Sequence, residues 1–438
     1  MSSATTDPAL RAWLESANEA ATDFPVQNLP FGAFDTPDGA ARLGVAIGDR
    51  VLDLVVARDG GLLDGLDAAT HAALSAPTLN VLVALGRPAL SAVRDRVSRC
   101  LRADTPEGEA ARRTGGLLHE LAAVTMRLPT EVGDYTDFYA SIEHATNVGS
   151  MFRPDQPLLP NYRHVPIGYH GRASSLVPSG TPVRRPVGQV AAAPAGPPSV
   201  APSARLDYEL EVGAIIGPGN PLGTAIPLAE AERHLAGLVL VNDWSARDLQ
   251  AWEYQPLGPF LAKNFATTVS PWMVTLDALE PYRVPWRGRG PDEPAPLPYL
   301  TDAADQAHGA FDLTLEVWIR TARMRELGRP AERLSQGRFA SMYWTLGQML
   351  AHHASGGCNL RPGDLLASGT VSGPDRTSRG SLLELAWRGT EPVALGTGET
   401  RAFLADGDEV ILRGWCAGDG RARIGFGECR GLVLPAAG

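Results

Sequence analysis

One segment of the chain places several ionisable side chains beside aromatic and aliphatic ones. Residues 136–153, TDFYASIEHATNVGSMFR, contain Asp137, Tyr139, His144 and Arg153. A carboxylate can bind a cation, a histidine can accept a proton, and an arginine can hold an anion. Neither a helical nor a strand period explains the pattern. We therefore predict that the segment is a loop, and that it brings these groups to a site whose apolar neighbours limit water.

A second acidic group follows further along the chain. Residues 206–216, LDYELEVGAII, alternate so that Asp207, Glu209 and Glu211 share one face of a predicted strand. An acidic face on a half-exposed strand is usually solvated. It becomes a candidate site only in company with other acids, and Asp243, which ends the apolar run LVLVND, is one such residue.

The acids make chemical sense as a site if they converge. Adjacent carboxylates about 5 Å apart would repel by roughly 3 kcal/mol per pair at an effective dielectric of about 20. A cluster must therefore take up protons or bind a cation, and oxygen-only ligands select Ca²⁺ or Mg²⁺ over zinc. The alternative, four separate surface acids, is not dismissed by spacing alone. The candidates are Asp137, Glu209, Glu211 and Asp243.

Basic and polar candidates stand near Asp243 in the sequence. Arg247, Gln250 and Tyr254 have the spacing of one helix face, although such a face is normally just solvated. Lys263 follows a Gly-Pro bend among apolar residues, where a lysine needs an anionic partner or a lowered pKa. His144 alone is a weak signal, since a single histidine is more often structural than catalytic.

Composition and absent motifs exclude several classes of function. The net charge is −10, and no Lys/Arg-rich run offsets it, so we expect no nucleic-acid partner. No stretch has the length of a membrane span and the first residues lack a secretory signal. Four cysteines without a CxxC pair favour reduced thiols and a cytoplasmic location. No dinucleotide fingerprint, phosphate-binding loop or GxSxG motif occurs, so a hydrolase of this sequence would activate water directly, without a nucleotide or organic cofactor.

The elements that must position these groups are mostly strands with inserted helices, an α+β pattern. Residues 43–56 predict a hairpin turning at Gly48-Asp49. Residues 87–125 predict two helical stretches, the second through Leu117, Leu118, Leu121 and Val124. The texture changes near Leu128, which predicts two domains, 1–128 and 129–438.

The second unit contains three further helical predictions and one surface excursion. A helix should run into a buried strand over residues 228–243, and residues 245–254 have helical spacing. Another helix is predicted over residues 339–353, stopping at Gly356-Gly357. The Ala/Pro-rich segment 190–204 has too little apolar bulk to pack and is interpreted as a surface excursion.

Five long motifs closely resemble the fumarylacetoacetase family, and the resemblance extends from about residue 23 to the C-terminus. It implies an N-terminal SH3-like barrel domain, a larger C-terminal mixed β-roll and a homodimer. The motifs are DYTDFYASIEHATNVGSMFR, LLPNYRHVPIGYHGRASSLVPSGTPVRRPVGQ, DYELEVGAIIG, VLVNDWSARDLQAWEYQPLGPFLAKNFATTVSPW and CNLRPGDLLASGTVSGPDRTSRGSLLELAW.

The resemblance also implies roles for individual residues. His144 matches the proton acceptor and Glu384 the carboxylate that orients it, while Arg247, Gln250 and Lys263 would surround a developing oxyanion. The residues matching the cation site, bound to Ca²⁺ or Mg²⁺, are Asp137, Glu209, Glu211 and Asp243, with Lys263 and Thr267 as further members. The residues matching substrate contacts are Tyr139, Arg153, Gln250, Tyr254 and Thr370.

The implied activity is hydrolysis of the carbon–carbon bond of 4-fumarylacetoacetate, a small diketo-dicarboxylate, at the end of tyrosine and phenylalanine degradation. A related oxo-acid decarboxylase, isomerase or acylpyruvate hydrolase is the alternative within enzymes. A catalytically silent binding protein is a third reading, but it predicts loss of a polar site residue, and all are present. Local substitutions in SIEH and NFATT stand beside the site residues and bear on substrate preference.

Overall fold

The computed structural model of the chain describes residues 4–191 and 196–437. The N-terminal part is one antiparallel five-stranded sheet, in the order β4-β3-β2-β1-β5, with helices on it. Its strands are β1 (Phe31–Asp35), β2 (Ala41–Ile47), β3 (Arg50–Asp53), β4 (Leu118–Glu120) and β5 (Thr125–Met126). Its helices are α1 (Leu54–Asp59), α2 (Ala68–Ala73), α3 (Asn80–Ala84), α4 (Arg87–Leu101) and α5 (Pro106–Arg113).

The sequence predictions for this part are confirmed at the hairpin and the first helix, and wrong at the second helix. Gly48 turns β2 into β3 with a φ of 54°, in the left-handed region that glycine tolerates. The second helical stretch is instead β4, a 3₁₀ turn over Leu121–Ala123 and β5, while α5 lies earlier in the chain. A short apolar run can pair as a strand when a neighbour is available, and Leu118 pairs with Leu52 of β3.

The middle of the chain supplies most of the large sheet. Its helices are α6 (Ile142–Phe152), α7 (Arg247–Glu253) and α8 (Leu276–Leu279). Its strands are β6 (Tyr135–Phe138), β7 (Gly168–Gly171), β8 (Leu176–Pro178), β9 (Val183–Arg184), β10 (Val187–Ala191), β11 (Pro198–Pro202), β12 (Leu206–Asp207), β13 (Leu210–Ile216), β14 (Leu235–Asp243), β15 (Ser245–Ala246), β16 (Thr267–Val269) and β17 (Val274–Thr275).

The C-terminal part completes that sheet and builds a second one. Its helices are α9 (Ala303–His308), α10 (Ala322–Glu326), α11 (Leu346–Ala354) and α12 (Leu382–Leu385). Its strands are β18 (Arg283–Val284), β19 (Ala310–Phe311), β20 (Leu313–Arg320), β21 (Glu332–Arg338), β22 (Leu365–Ala367), β23 (Val393–Ala394), β24 (Thr400–Arg401), β25 (Glu409–Gly418) and β26 (Arg421–Leu434).

Two mixed sheets form the scaffold of a mixed α+β fold. The eight-stranded sheet runs β7-β6-β22-β13-β14-β16-β8, with β17 also pairing with β14, and the five-stranded sheet runs β21-β20-β25-β26-β9. The β6–β22, β16–β8 and β26–β9 pairs are parallel and the other ladders of these sheets are antiparallel. Every residue of β13 and of β14 is buried, because the sheets and helices cover both faces.

The N-terminal sheet and the large sheet share a hydrophobic core. Leu43, Val45 and Leu52 of the first pack in one cluster with Val239 and Val241 of the second. A backbone pair, Phe31 with Met273, also joins the two parts through two hydrogen bonds of 2.9 and 2.7 Å. The N-terminal part is therefore fastened directly to the sheet that carries the acidic residues.

The predicted loop over residues 136–153 is wrong. The segment is strand β6 followed by helix α6, which begins after Ser141, whose hydroxyl accepts the His144 N–H at 3.2 Å. The three helices predicted in the second unit are found as a 3₁₀ turn over Leu228–His234 leading into β14, as α7, and as α11. The excursion at 190–204 is a β10–β11 hairpin, of which residues 192–195 lie outside the described residues. Among the described helices, none combines the length and apolar character needed to cross a membrane.

Candidate active site

Four acidic side chains meet on the large sheet. Asp137 lies in β6, Glu209 and Glu211 stand before and within β13, and Asp243 ends β14. All four are at least 95% buried, and one oxygen from each lies within 4.8 Å of the others. Strand pairing explains the meeting, because Ala367 of β22 pairs with both Asp137 and Gly213, and the Asp243 N–H donates to the Glu209 carbonyl at 3.2 Å.

Glu211 and Asp137 show what this cluster requires. Neither carboxylate oxygen of Glu211 has a hydrogen-bond partner among the described residues, although both are buried. Burial, followed by the charges of Asp137 and Asp243, raises the pKa of Glu211 well above its usual value. Burial and the charge of Asp243 do the same to the pKa of Asp137. Unpartnered oxygens facing other carboxylates fit the ligands of a hard divalent cation.

Lys263 and Thr267 bind two of the four carboxylates, those of Glu209 and Asp243. Lys263 Nζ pairs with Glu209 Oε2 and, at 2.7 Å, with Asp243 Oδ2, while Thr267 Oγ1 donates to Asp243 Oδ1 at 2.9 Å. Burial alone would lower the pKa of Lys263, but the carboxylates of Asp243 and Glu209 raise it above its usual value. An ammonium has no lone pair for a cation, so Lys263 acts on the cluster as a counter-charge.

The predicted proton acceptor lies beside this cluster. His144 Nδ1 and Glu384 Oε2 are 2.6 Å apart, and His144 Nε2 is 3.8 Å from Glu209 Oε1. Both side chains are buried. Burial would raise the pKa of Glu384, but His144 and other donors hold it below its usual value. Glu384 is therefore an ionised carboxylate that fixes one face of the imidazole and leaves Nε2 directed to the cluster.

Arg247 and Gln250, both on α7, form a second polar group beside the cluster. We call the His144–Glu384 pair the first arm of the site and the Arg247–Gln250 pair the second. Arg247 Nη2 lies 2.8 Å from Glu209 Oε1, and Arg247 Nη1 donates to Gln250 Oε1 at 3.1 Å. Burial would lower the pKa of Arg247, yet Glu209 and Asp207 raise it. Burial would likewise raise the pKa of Glu209, but Arg247 and Lys263 hold it below its usual value. Glu209 therefore stays charged and links both arms.

The remaining predicted residues lie at different distances from this centre. The Tyr139 ring packs edge-on to His144, with the two ring centroids 5.4 Å apart. Arg153 caps the end of α6, the helix that carries His144, and its buried Nε has no hydrogen-bond partner among the described residues. Burial and the charge of Glu384 raise the pKa of Tyr139 above its usual value, and the opposing charges of Arg153 and Arg247 do not offset them. Thr370 is buried in the loop after β22.

Tyr254 is the one predicted contact whose side chain stands apart. It caps α7 one turn after Gln250 and is 36% exposed. No hydrogen bond or ring contact joins its side chain to another residue of the described chain. Tyr254 therefore stands at the end of the helix that carries Arg247 and Gln250, and its ring is partly exposed to solvent.

Three groups in the site were missed by sequence reasoning about roles. Tyr169 of β7 donates to Asp243 Oδ2 at 2.8 Å, and Asn147 donates to Glu384 Oε1 at 2.8 Å. Asp207 is fully buried and pairs with Arg247 Nε at 2.9 Å. Asp207 had a signal, since it shares the strand face of Glu209 and Glu211. Tyr169 and Asn147 had none that spacing could reveal.

Two protein-family models match the chain. Residues 27–129 match the model described as fumarylacetoacetase N-terminal, and residues 134–433 match that described as fumarylacetoacetate hydrolase C-terminal. A solved structure of fumarylacetoacetate hydrolase from Exiguobacterium antarcticum superposes with a TM-score of 0.50 at 17% identity, covering 93% of this chain and 99% of that one. At that identity the likeness concerns the fold alone.

Curated relatives match over nearly the whole chain. Human fumarylacetoacetase is 49% identical over 425 residues, covering 95% of this chain and 97% of the relative. The proteins of the same name from Caenorhabditis elegans and from Oryza sativa are 50% and 47% identical, over 422 and 436 residues, covering 95% and 98% of this chain and 97% and 98% of the relatives. This chain belongs to the fumarylacetoacetase family.

Proposed function

We propose that this chain hydrolyses the carbon–carbon bond of 4-fumarylacetoacetate, giving fumarate and acetoacetate. The observation that carries the proposal is one contact: the buried His144–Glu384 pair lies against Glu209, a member of the four-carboxylate cluster. A proton acceptor and a cation site side by side are what this reaction needs. Family membership sets the substrate class, since the curated relatives carry the name of that enzyme.

A carbon–carbon bond breaks hydrolytically only if the departing carbon leaves as a stabilised enolate. Bound by Asp137, Glu209, Glu211 and Asp243, Ca²⁺ or Mg²⁺ would supply Lewis-acid stabilisation to a 1,3-diketone. Lys263 and Thr267 keep Glu209 and Asp243 in place, and the charge of Lys263 limits the repulsion between these two carboxylates. The charge balance agrees, because the cationic side chains that pair with the four buried carboxylates in the described residues are Lys263 and Arg247, and Arg247 is shared with Asp207.

The proton step belongs to His144. Its Nδ1 side is held by ionised Glu384, so its Nε2 is the free face that accepts a proton from the attacking water. Glu384 then stabilises the imidazolium that forms. General-base catalysis of this kind contributes typically about 10²- to 10⁴-fold.

The α7 arm faces the charge that develops during attack. Arg247 donates from Nε to Asp207 and from one Nη1 hydrogen to Gln250, and its Nη2 forms ion pairs with Asp207 and Glu209. A guanidinium has five N–H groups, so an Nη1 hydrogen is left to meet an oxyanion, together with Gln250 and Lys263.

Substrate carboxylates need cationic or hydroxyl partners outside the reacting centre. Arg153, with its unpartnered Nε, and Tyr139 supply one such anchor beside His144. Gln250, Tyr254 and Thr370 complete the set of proposed substrate contacts. The Tyr254 ring is 36% exposed in the free protein, so a contact with substrate would require it to turn toward the ligand.

The test follows the loss of diketone absorbance with purified protein, with and without a chelator, and with His144→Ala. We expect turnover that chelation abolishes and added cation restores, and a loss of at least about 10²-fold in the variant. His71→Ala, on α2 in the N-terminal part, is the matched control and keeps full activity. Release of CO₂ in place of fumarate would assign the chain to the oxo-acid decarboxylases, and chelator-resistant turnover would remove the cation from the proposal.

The proposal extends to the organisation of the molecule. We infer a division into residues 1–128 and 129–438, with an SH3-like barrel in the first and a β-roll in the second. The antiparallel sheet β4-β3-β2-β1-β5 supports the first assignment. A cytoplasmic homodimer is the assembly that the family resemblance implies, and four free thiols agree with a reducing location.

A further inference from the structure

Asp207 lies behind the site and touches both of its arms. It ends β12 opposite Ser245, just before α7, and is completely buried. Its Oδ1 accepts the N–H groups of Tyr208 and Leu382, each at 2.8 Å. A buried carboxylate with this many donors has one fixed orientation, because any rotation would leave several of them unpaired.

The second oxygen of Asp207 connects two different parts of the chain. Oδ2 accepts Arg247 Nε at 2.9 Å, lies 2.8 Å from Arg247 Nη2, and accepts the Leu383 N–H at 3.0 Å. Leu382 and Leu383 begin α12, whose third residue is Glu384. One carboxylate therefore fixes the guanidinium of Arg247 and the backbone that carries Glu384.

The consequences reach the reacting groups through one bond on each side. Glu384 is 2.6 Å from His144 Nδ1, and its hydroxyl partner Ser381 sits at the same helix start. Arg247 Nη2, which lies 2.8 Å from Asp207 Oδ2, also lies 2.8 Å from Glu209 Oε1, and Arg247 Nη1 donates to Gln250. A change in Asp207 would move both arms together, although Asp207 itself contacts neither the four-carboxylate cluster nor the Arg153 and Tyr139 anchors.

We propose that Asp207 is a positioning residue for the hydrolysis, holding the proton-acceptor pair and the oxyanion arm in one mutual arrangement. The proposal builds on the proposed function, because it assigns Asp207 to the same reaction. Asp207→Asn keeps the shape and one acceptor oxygen, but turns an amide NH₂ either toward Arg247 Nε and the Leu383 N–H or toward the Tyr208 and Leu382 N–H groups. Donor then faces donor, and one arm must shift.

The first readout is steady-state kinetics on the diketone. We expect Asp207→Asn to lower kcat by about 10²-fold with KM changed by less than about threefold, since the Arg153 and Tyr139 anchors, which Asp207 does not contact, stay in place. In a Glu384→Gln background the same substitution should cost at least about tenfold less than in the wild type, because the Glu384 arm is already impaired. Fully multiplicative losses would mean that Asp207 does not act through Glu384, and would overturn the proposal.

The second readout needs no substrate, so it separates this proposal from the proposed function. The proton between His144 Nδ1 and Glu384 Oε2 should give a strongly downfield NMR resonance, assigned by its loss in His144→Ala. We expect Asp207→Asn to shift or broaden that resonance. An unchanged resonance in a folded variant would overturn the positioning role even if the wild type proved inactive on the diketone.

Asp408→Asn is the matched control. Asp408 is also completely buried, holds Arg401 through contacts of 2.7 and 2.9 Å, and accepts the Ala405 N–H at 2.8 Å. None of these partners belongs to the site, so this variant should lose stability while keeping the resonance and kcat. If Asp207→Asn does not fold, Asp207→Ser takes its place, because its hydroxyl can still accept from Leu382 while the ion pair to Arg247 is lost.

Discussion

Carboxylates of the same type have different chemistry in this site because their neighbours differ. Glu384 is surrounded by donors and is ionised, Glu209 is paired with two cations, and Glu211 has no hydrogen-bond donor within the described part of the chain. The sequence supplied the residue types, and alternation placed Glu209 and Glu211 on one face. It could not supply burial, since an alternating acidic face is normally solvated. Several neighbours come from distant parts of the chain: Lys263 is 54 positions from Glu209, and Glu384 is 240 positions from His144.

The charge of Glu384 can be removed without changing its shape. Glu384→Gln loses the anion that stabilises an imidazolium at His144 and places a donor or a neutral oxygen against Nδ1. We expect kcat to fall by about 10²- to 10⁴-fold. Glu316→Gln is the control, because Glu316 is equally buried, accepts from Arg333 and Trp318, and lies on β20 away from the site. Kinetics of the two variants side by side check this, and equal losses would contradict the role of Glu384.

Glu211 is predicted to matter for cation binding. Glu211→Gln removes one of four negative charges and one ligand oxygen of full charge, so we expect the Kd for Ca²⁺ or Mg²⁺ to rise by at least about tenfold. The melting temperature measured in chelator should not fall, because repulsion with Asp137 and Asp243 is relieved. Titration calorimetry and thermal unfolding measure the two effects. Unchanged affinity would show that Glu211 is not a ligand.

Helix α6 illustrates what sequence patterns missed at the scale of an element. It carries His144 near its start and delivers Arg153 at its end, yet we predicted a loop there. Its buried face is Ile142, Ala145 and Gly149, a helical spacing made mostly of small residues. A search for large apolar residues does not detect such a face. The strands beneath it were easier, because the buried run of β14 is continuous and ends at Asp243 as expected.

Gly149 is required by close packing and not by helix propensity. A Cβ there would lie 1.9 Å from the Pro157 carbonyl oxygen. The added methyl group of Gly149→Ala must therefore push α6 away from the segment around Pro157. The free-energy cost of that displacement should exceed the gain of about 1 kcal/mol that alanine normally brings to a helix. We expect lower stability and a raised KM through displacement of Arg153, measured by thermal unfolding and kinetics. Ser150→Ala, on the same helix, should leave KM unchanged, and a stabilised Gly149→Ala protein would contradict the packing argument.

Asp305 should make stability depend on pH. Burial raises the pKa of Asp305 from 3.8 to about 6, and Glu232 and Asp302 add to it against donation from Thr345. The folded state then holds a proton that the unfolded state loses first, so unfolding free energy falls as pH rises from about 4 to 6. Relative to Asp305→Asn, the wild type should lose about 1–2 kcal/mol across that window. Denaturant unfolding at several pH values measures it, and a constant difference would contradict the assignment.

At the scale of the whole molecule, the site is built by separate stretches of chain that meet in one sheet. Residues 137, 209, 243 and 263 converge there because β6 is joined to β13 through β22, and β14 and β16 follow β13 in the strand order. Composition and spacing predicted the α+β class and excluded nucleic acid, but they left open whether the acids converge. The convergence of the four acids was predicted from the resemblance of the long motifs to the family. The five-stranded sheet, β21-β20-β25-β26-β9, had no sequence signal that specified its pairing order.

The central claim is that water, activated at His144, adds to the keto carbon next to the double bond. A single-turnover reaction in ¹⁸O-labelled water, with product mass spectrometry, tests it most directly. The account predicts fumarate carrying one ¹⁸O atom in its new carboxylate, formed together with acetoacetate and only when divalent cation is present. Labelled CO₂, unlabelled fumarate, or cleavage that proceeds equally after complete removal of divalent cation would contradict it.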